Sequence, residues 1–230
     1  MLSYPPFKQE VILLSGSDKT IGVIAGTPVD TQMGVDFIRK KGLEAVGIPA
    51  ASSPDEQNML QFLKPDALTQ KVISIIGDFQ KQNIRKVMIY CNSLSAAIDL
   101  ELVKQKYPDT NIVTPLQVYH SLASRYKRLV ILAANGQSLK TIEKIFYENN
   151  PTIQIIGVTT LPVIRAIENL EIPEIIIDKF NLADLVPKNF NAEGLVLGCT
   201  HLPYLKEKLE QKLNVPIIDP AEKMLAELFL

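Results

Sequence analysis

Short runs of apolar residues alternate along this chain with longer stretches whose apolar positions recur every three to four residues. The runs predict strands at residues 21–25, 45–48, 87–91 and 112–113, and again at 129–133, 153–158, 195–199 and 217–218. The periodic stretches predict helices over 31–41, 65–82, 95–106 and 117–125, then 138–149, 163–169, 173–185 and 203–213, with a last helix over 221–230. Glu10-Val11-Ile12-Leu13-Leu14 reads as either one more strand or a short helix. Alternation of strand and helix implies parallel sheets built from right-handed crossovers, an α/β fold.

The pattern also repeats itself. Ile21-Gly22-Val23-Ile24-Ala25-Gly26-Thr27 matches Leu129-Val130-Ile131-Leu132-Ala133-Ala134-Asn135, and Val87-Met88-Ile89-Tyr90-Cys91-Asn92-Ser93 matches Leu195-Val196-Leu197-Gly198-Cys199-Thr200-His201, both at an offset of 108 residues. One internal duplication accounts for both matches. It predicts two pseudo-symmetric half-domains, each a parallel sheet with helices on both faces, and an active site at their interface. The halves are placed at residues 1–115 and 116–219, with 220–230 returning to the first. No low-complexity linker lies between them, so close packing is expected.

Composition narrows the function. A chain of 230 residues that is 47% hydrophobic can bury a sizeable core. Its 24 Lys and Arg balance 25 Asp and Glu, and the longest basic run is Arg39-Lys40-Lys41, which argues against a nucleic-acid partner. No apolar stretch approaches the about 18 residues of a membrane span, and Met1-Leu2-Ser3-Tyr4-Pro5-Pro6 lacks the layout of a signal peptide. The expectation is a cytoplasmic protein with no membrane partner. Two cysteines so far apart make neither a zinc spacing nor a disulfide scaffold, so no metal is expected.

Those cysteines, Cys91 and Cys199, carry the candidate chemistry. Ligands of parallel sheets bind beyond the carboxyl ends of the strands, and the duplication puts both thiols there, facing each other across the junction. Alone, either would be read as core, because cysteine is among the most buried residue types. Two at matching strand ends, each followed by hydroxyl or amide side chains, suit a reaction that removes a proton from one face of a carbon and returns one to the other. Helix N-termini just beyond are expected to lower the thiol pKa from about 8.5 toward neutrality. Ala25, Gly26, Thr27, Asn92, Ser93, Ala134, Asn135 and Thr200 share these strand ends, where small residues let backbone N–H groups approach a ligand. His201 is placed to hydrogen-bond the Cys199 thiol, hold a carboxylate or relay a proton, and Glu168 is the candidate to raise its basicity. His120, on a predicted helix, is assigned a structural role.

Tyr90-Cys91-Asn92-Ser93-Leu94-Ser95-Ala96 resembles the Cys-Asn-Thr/Ser segment of the cofactor-independent aspartate/glutamate racemase superfamily. Leu197-Gly198-Cys199-Thr200-His201-Leu202-Pro203 resembles its second signature, Gly-Cys-Thr-His-x-Pro, in the form typical of glutamate racemases. With the duplicated halves, the resemblance spans nearly the whole chain. It implies two-base racemisation of a small acidic amino acid, without pyridoxal phosphate or another cofactor, in a homodimer. It further implies that Cys91 deprotonates the D-isomer and Cys199 the L-isomer. Asn92, Ser93 and Thr200 would hold the α-carboxylate and amino groups, with His201 and Glu168 assisting the second thiol.

Two loops depart from that pattern. Glutamate racemases carry Asp-Ser after the first strand, where this chain has Ala25-Gly26, nearer the Gly-Gly of aspartate racemases. The threonine-rich turn of the second half is replaced by Ala134-Asn135-Gly136-Gln137-Ser138. Ser52 and Ser53 stand where some aspartate racemases hold the side-chain carboxylate with an arginine, and Arg165 reads as a surface residue. Aspartate and glutamate both stay open as substrates. So do the reactions of the related hydantoin racemases and maleate isomerases and, from another class, a two-lobed small-acid binding protein without catalysis. The related arylmalonate decarboxylases use one cysteine, and the presence of two counts against that branch.

Overall fold

A computed structural model of the chain describes residues 20–59, 62 and 65–230; the segment 10–14 lies outside them. The first half comprises β1 (Thr20–Ala25), α1 (Pro28–Lys40), β2 (Glu44–Pro49), α2 (Pro54–Met59), α3 (Pro65–Lys81), β3 (Lys86–Tyr90), α4 (Asn92–Ala97), α5 (Leu100–Lys106) and β4 (Asn111–Val113). There follow α6 (Pro115–Leu122), β5 (Arg128–Ala133), α7 (Gly136–Asn149), β6 (Gln154–Thr159), α8 (Leu161–Glu168) and α9 (Pro173–Lys179). The chain then runs through β7 (Gly194–Gly198), α10 (Lys206–Lys212), β8 (Ile217–Ile218) and α11 (Ala221–Glu227). Strands pair in parallel in two four-stranded sheets, ordered β2-β1-β3-β4 and β6-β5-β7-β8. Each chain path therefore reverses direction between its first and third strand, the switch point at which such sheets bind ligands. Ala25 pairs with Tyr90, and Ala133 with Gly198, so the two registers coincide at the sequence offset of the repeat.

Strand periodicity assigns the two faces of each sheet to different cores. Ile21 and Val23 of β1 and Met88 of β3 meet Leu129 and Ile131 of β5 and Val196 of β7 in one cluster with α1, α6, α7 and α11. That shared core welds the sheets together. The opposite faces, Ile24, Val87 and Ile89 in the first and Val130, Leu132 and Leu197 in the second, are covered by α3–α5 and α8–α10 respectively. Central strands buried on both sides explain why their sequences read as continuous apolar runs.

The differences from expectation are local. The helix predicted over 95–106 is two helices: α4 ends at Ile98, whose backbone is extended, and Asp99 caps α5 by accepting from Leu102 N–H. That predicted over 173–185 breaks at Asn181, whose φ of 49° is left-handed. Residues 203–213 begin as a 3-10 turn before α10. Short α2 was not foreseen.

Candidate active site

Four strand ends converge where the sheets meet, and local capping chemistry decides which atoms face the junction. Thr27 N-caps α1 and accepts from Asp30 N–H at 3.1 Å, with Pro28 pre-set for the first turn. Its counterpart Asn135 N-caps α7 through Ser138 N–H. Cys91 N-caps α4, its Sγ 3.4 Å from Leu94 N, whereas Cys199 leads into the 3-10 turn Leu202–Leu205. The thiols therefore occupy equivalent positions in unequal surroundings. Both are buried, Cys91 at 2% exposure and Cys199 at 3%.

Around Cys199 the groups are charged. His201 is fully buried, with Nδ1 3.5 Å from Cys199 Sγ and Nε2 2.5 Å from Glu168 Oε1. Thr27 reaches across from the first sheet, donating its hydroxyl to Glu168, and lies 3.5 Å from His201 Nε2. Asp30, also fully buried, brings Oδ1 within 3.7 Å of His201 Nδ1, while its Oδ2 accepts from Gly26 N–H and from the Thr200 hydroxyl, both at 3.1 Å. Burial pulls the His201 pKa down, but Asp30, Cys199 and Glu168 outweigh it and hold the imidazole well above its ordinary value. Burial pushes the Asp30 carboxyl up, against the opposing pull of His201 and its two hydrogen bonds. For Glu168 burial acts upward too, yet hydrogen bonds from His201 and Thr27 win and its pKa falls.

Around Cys91 the groups are neutral. Gln57 of α2 donates from Nε2 to Cys91 Sγ at 3.2 Å. Sequence reasoning expected helix N–H groups to acidify both thiols; at Cys91 the reverse holds. Burial, reinforced by the Asp30 charge, drives its pKa far up, and the bonds from Leu94 N–H and Gln57 only moderate the rise. One short helix turn does not offset removal from water.

The remaining candidates sort by where their polar atoms point. Ser93 accepts from Asn135 Nδ2 at 3.2 Å, linking the halves, and Asn92 Oδ1 accepts from the Tyr119 hydroxyl at 2.8 Å. Ala25 turns its side chain into the shared core and gives its carbonyl to Ala50 N–H, and Ala134 packs in the outer core of the second sheet. Two buried atoms here have no protein hydrogen bond: Asp30 Oδ1, an acceptor, and Asn92 Nδ2, a donor. His120 is exposed on α6 beside Asn149, away from the site. Exposed Arg165 pairs with Asp55 of α2 at 2.5 Å, Ser53 Oγ caps α2 by accepting from Glu56 N–H at 3.2 Å, and Ser52 N–H donates to Glu56 Oε2 at 2.8 Å. Removing the hydroxyl in Tyr119→Phe leaves Asn92 Oδ1 unpaired inside the protein. Urea unfolding should show a loss of about 1–3 kcal/mol.

Sequence reasoning missed Asp30 and Gln57. The spacing Thr27-Pro28-Val29-Asp30, threonine followed three residues later by an acid before an apolar run, marks a helix start and would have flagged Asp30. Nothing local signals Gln57, which depends on a short helix folding back over a strand end.

Residues 37–228 match the model of the Asp/Glu/Hydantoin racemase family. The chain belongs to that family. The family region takes in both cysteines, Glu168 and His201, and begins after Thr27 and Asp30. Among curated relatives, the chain is 30% identical over 162 residues to glutamate racemase of Limosilactobacillus reuteri (strain DSM 20016), covering 66% of this chain and 59% of that one. It is 29% identical over 161 residues to the glutamate racemase of Fusobacterium nucleatum, covering 67% and 58%. The match thus spans under two thirds of those relatives' length. In fold it is similar to Francisella tularensis glutamate racemase in complex with D-glutamate, with TM-score 0.66, 19% identity and coverage of 93% and 81%. It is similar also to the aspartate racemase of Picrophilus torridus, with TM-score 0.68, 17% identity and coverage of 92% and 93%. No helix among the described residues is long and apolar enough to cross a membrane.

Proposed function

We propose that the protein is a cofactor-independent racemase of aspartate or glutamate, with Cys91 and Cys199 as its two acid–base groups. The observation that carries the reading is the pairing of two buried thiols at equivalent strand ends with two buried polar atoms that make no hydrogen bond within the protein: Asp30 Oδ1, an acceptor that faces His201 Nδ1 at 3.7 Å, and Asn92 Nδ2, a donor. An α-amino acid zwitterion supplies the complement of each: its ammonium donates to Asp30 and its carboxylate accepts from Asn92.

In the forward step one sulfur, as thiolate, takes the α-proton. The C–H bond breaks, an S–H bond forms, and the electron pair is left on the α-carbon and spread into the carboxylate. The other thiol then gives its proton to the opposite face, regenerating a thiolate on that side. The α-hydrogen is weakly acidic, so donors aimed at the carboxylate must offset the charge that develops there. Burial of both sulfurs requires the halves to part for substrate to reach them, and closure afterwards excludes the water that would weaken these contacts. The family resemblance extends the proposal to a cytoplasmic homodimer, which sedimentation of the purified chain tests.

The deciding experiment incubates the protein with D- and L-aspartate and D- and L-glutamate in deuterated water. One acid is expected to gain α-deuterium with inversion from either enantiomer. A ligand-dependent rise in melting temperature without deuterium uptake would make the protein a small-acid binder and overturn the racemase reading.

A further inference from the structure

The two thiols differ in what activates them. Cys199 has an imidazole flanked by carboxylates, whereas Cys91 has two neutral N–H donors, Leu94 N and Gln57 Nε2. The second of these exists because residue 26 is glycine. A Cβ built on Gly26 would lie 2.0 Å from Gln57 Nε2 and 2.2 Å from its carboxamide carbon. The amide thus fills the notch that any side chain at 26 would occupy, and there it meets Cys91 Sγ. Glutamate racemases carry a serine at this point of the chain, and here a serine Cβ would collide with the Gln57 amide.

We propose that Gln57 is a catalytic residue of the Cys91 half-reaction, an amide donor on α2 that stabilises the Cys91 thiolate, and that Gly26 is the notch that admits it. The assignment rests on the two-thiol reading above. The ionisable groups whose charge reaches Cys91 are Asp30 on α1 and Cys199 beyond β7, and both disfavour the thiolate. Asp55 and Glu56, on α2 itself, are exposed and bonded to Arg165 and Ser52. Against two opposing charges, a neutral N–H donor is the polar group that favours the anion without adding a proton-transfer rival. Asp55 lies two residues before Gln57 and ties α2 to α8 of the second half.

The test needs no substrate. In a Cys199→Ser background Cys91 is the single thiol of the chain. Its reaction with methyl methanethiosulfonate, a small neutral probe, is followed by mass spectrometry between about pH 7 and 10. Gln57→Met keeps the bulk and removes the donor. Loss of a hydrogen bond to a charged group should leave about tenfold less thiolate at a given pH. Burial holds the midpoint above this window, so the rate rises with pH throughout; the more basic sulfur is also the better nucleophile, and the net rate at each pH should fall about threefold. Gly26→Ala, which evicts an intact Gln57, should lower the rate in the same way, and it carries the test if Gln57→Met does not fold. An unchanged rate across the window, or a reaction that only becomes faster because the sulfur is uncovered, overturns the proposal. Absence of α-proton exchange by the unaltered chain overturns the racemase reading separately and leaves the thiol result interpretable.

Discussion

Cys91→Ser and Cys199→Ser are each expected to reduce racemisation about a hundred- to ten-thousandfold while leaving the fold intact. Serine is close to isosteric, and both sulfurs sit in buried positions whose packing a hydroxyl reproduces. What is lost is the group that exchanges a proton with carbon, and acid–base catalysis by one positioned group is worth about a hundred- to ten-thousandfold. The remaining thiol still faces one side of the substrate. Each variant should therefore keep α-proton exchange with one enantiomer and lose inversion: Cys91→Ser exchanges the L-isomer and Cys199→Ser the D-isomer, following the family assignment. Chiral chromatography with mass detection in deuterated water reads inversion and exchange together. Normal turnover by either variant sinks the two-base mechanism.

The fold was legible because its signals are local and repeated. Strands buried on both faces leave uninterrupted apolar runs such as Ile21–Ala25 and Leu195–Leu197, and the matching offset of the two cysteines reported the duplicated register before any contact was known. Glu168 and His201 were likewise reachable from sequence, and the structure brings them to hydrogen-bonding distance. What escaped depends on long-range placement. Asp30 acts through Thr200, 170 positions away, and Gln57 through Cys91, 34 positions away. The expectation that a helix N-terminus lowers the thiol pKa failed at Cys91 for the same reason. A helix N-terminus is visible in sequence, but the depth at which the fold buries Cys91 is not, and depth dominates.

Unequal thiols make the second large effect one-sided. His201→Asn should slow deprotonation by Cys199 about a hundredfold, because the imidazolium that balances Asp30 and Glu168 beside that sulfur is gone. Enantiomers have equal free energy, so kcat/KM in the two directions must stay equal in any variant, and the asymmetry has to be sought elsewhere. With α-deuterated substrate, the primary isotope effect should grow in the L-to-D direction, where proton removal by Cys199 becomes limiting, and shrink in the D-to-L direction. The pH dependence follows with a definite sign. A histidine whose folded pKa is raised adds stability that is fully present below its ordinary value of about 6.5 and is lost as pH rises through the raised one. Asp30→Asn removes the first-named of the charges that raise it, so loss of the imidazolium, and of the stability tied to it, should move to lower pH. The chain has two histidines, His120 exposed and His201 buried, so the proton resonances of the two rings separate the titrations directly. If the His201 resonance titrates identically in Asp30→Asn and in the unaltered protein, Asp30 does not hold the imidazole, and the charged half of the site must be rebuilt around Glu168 alone.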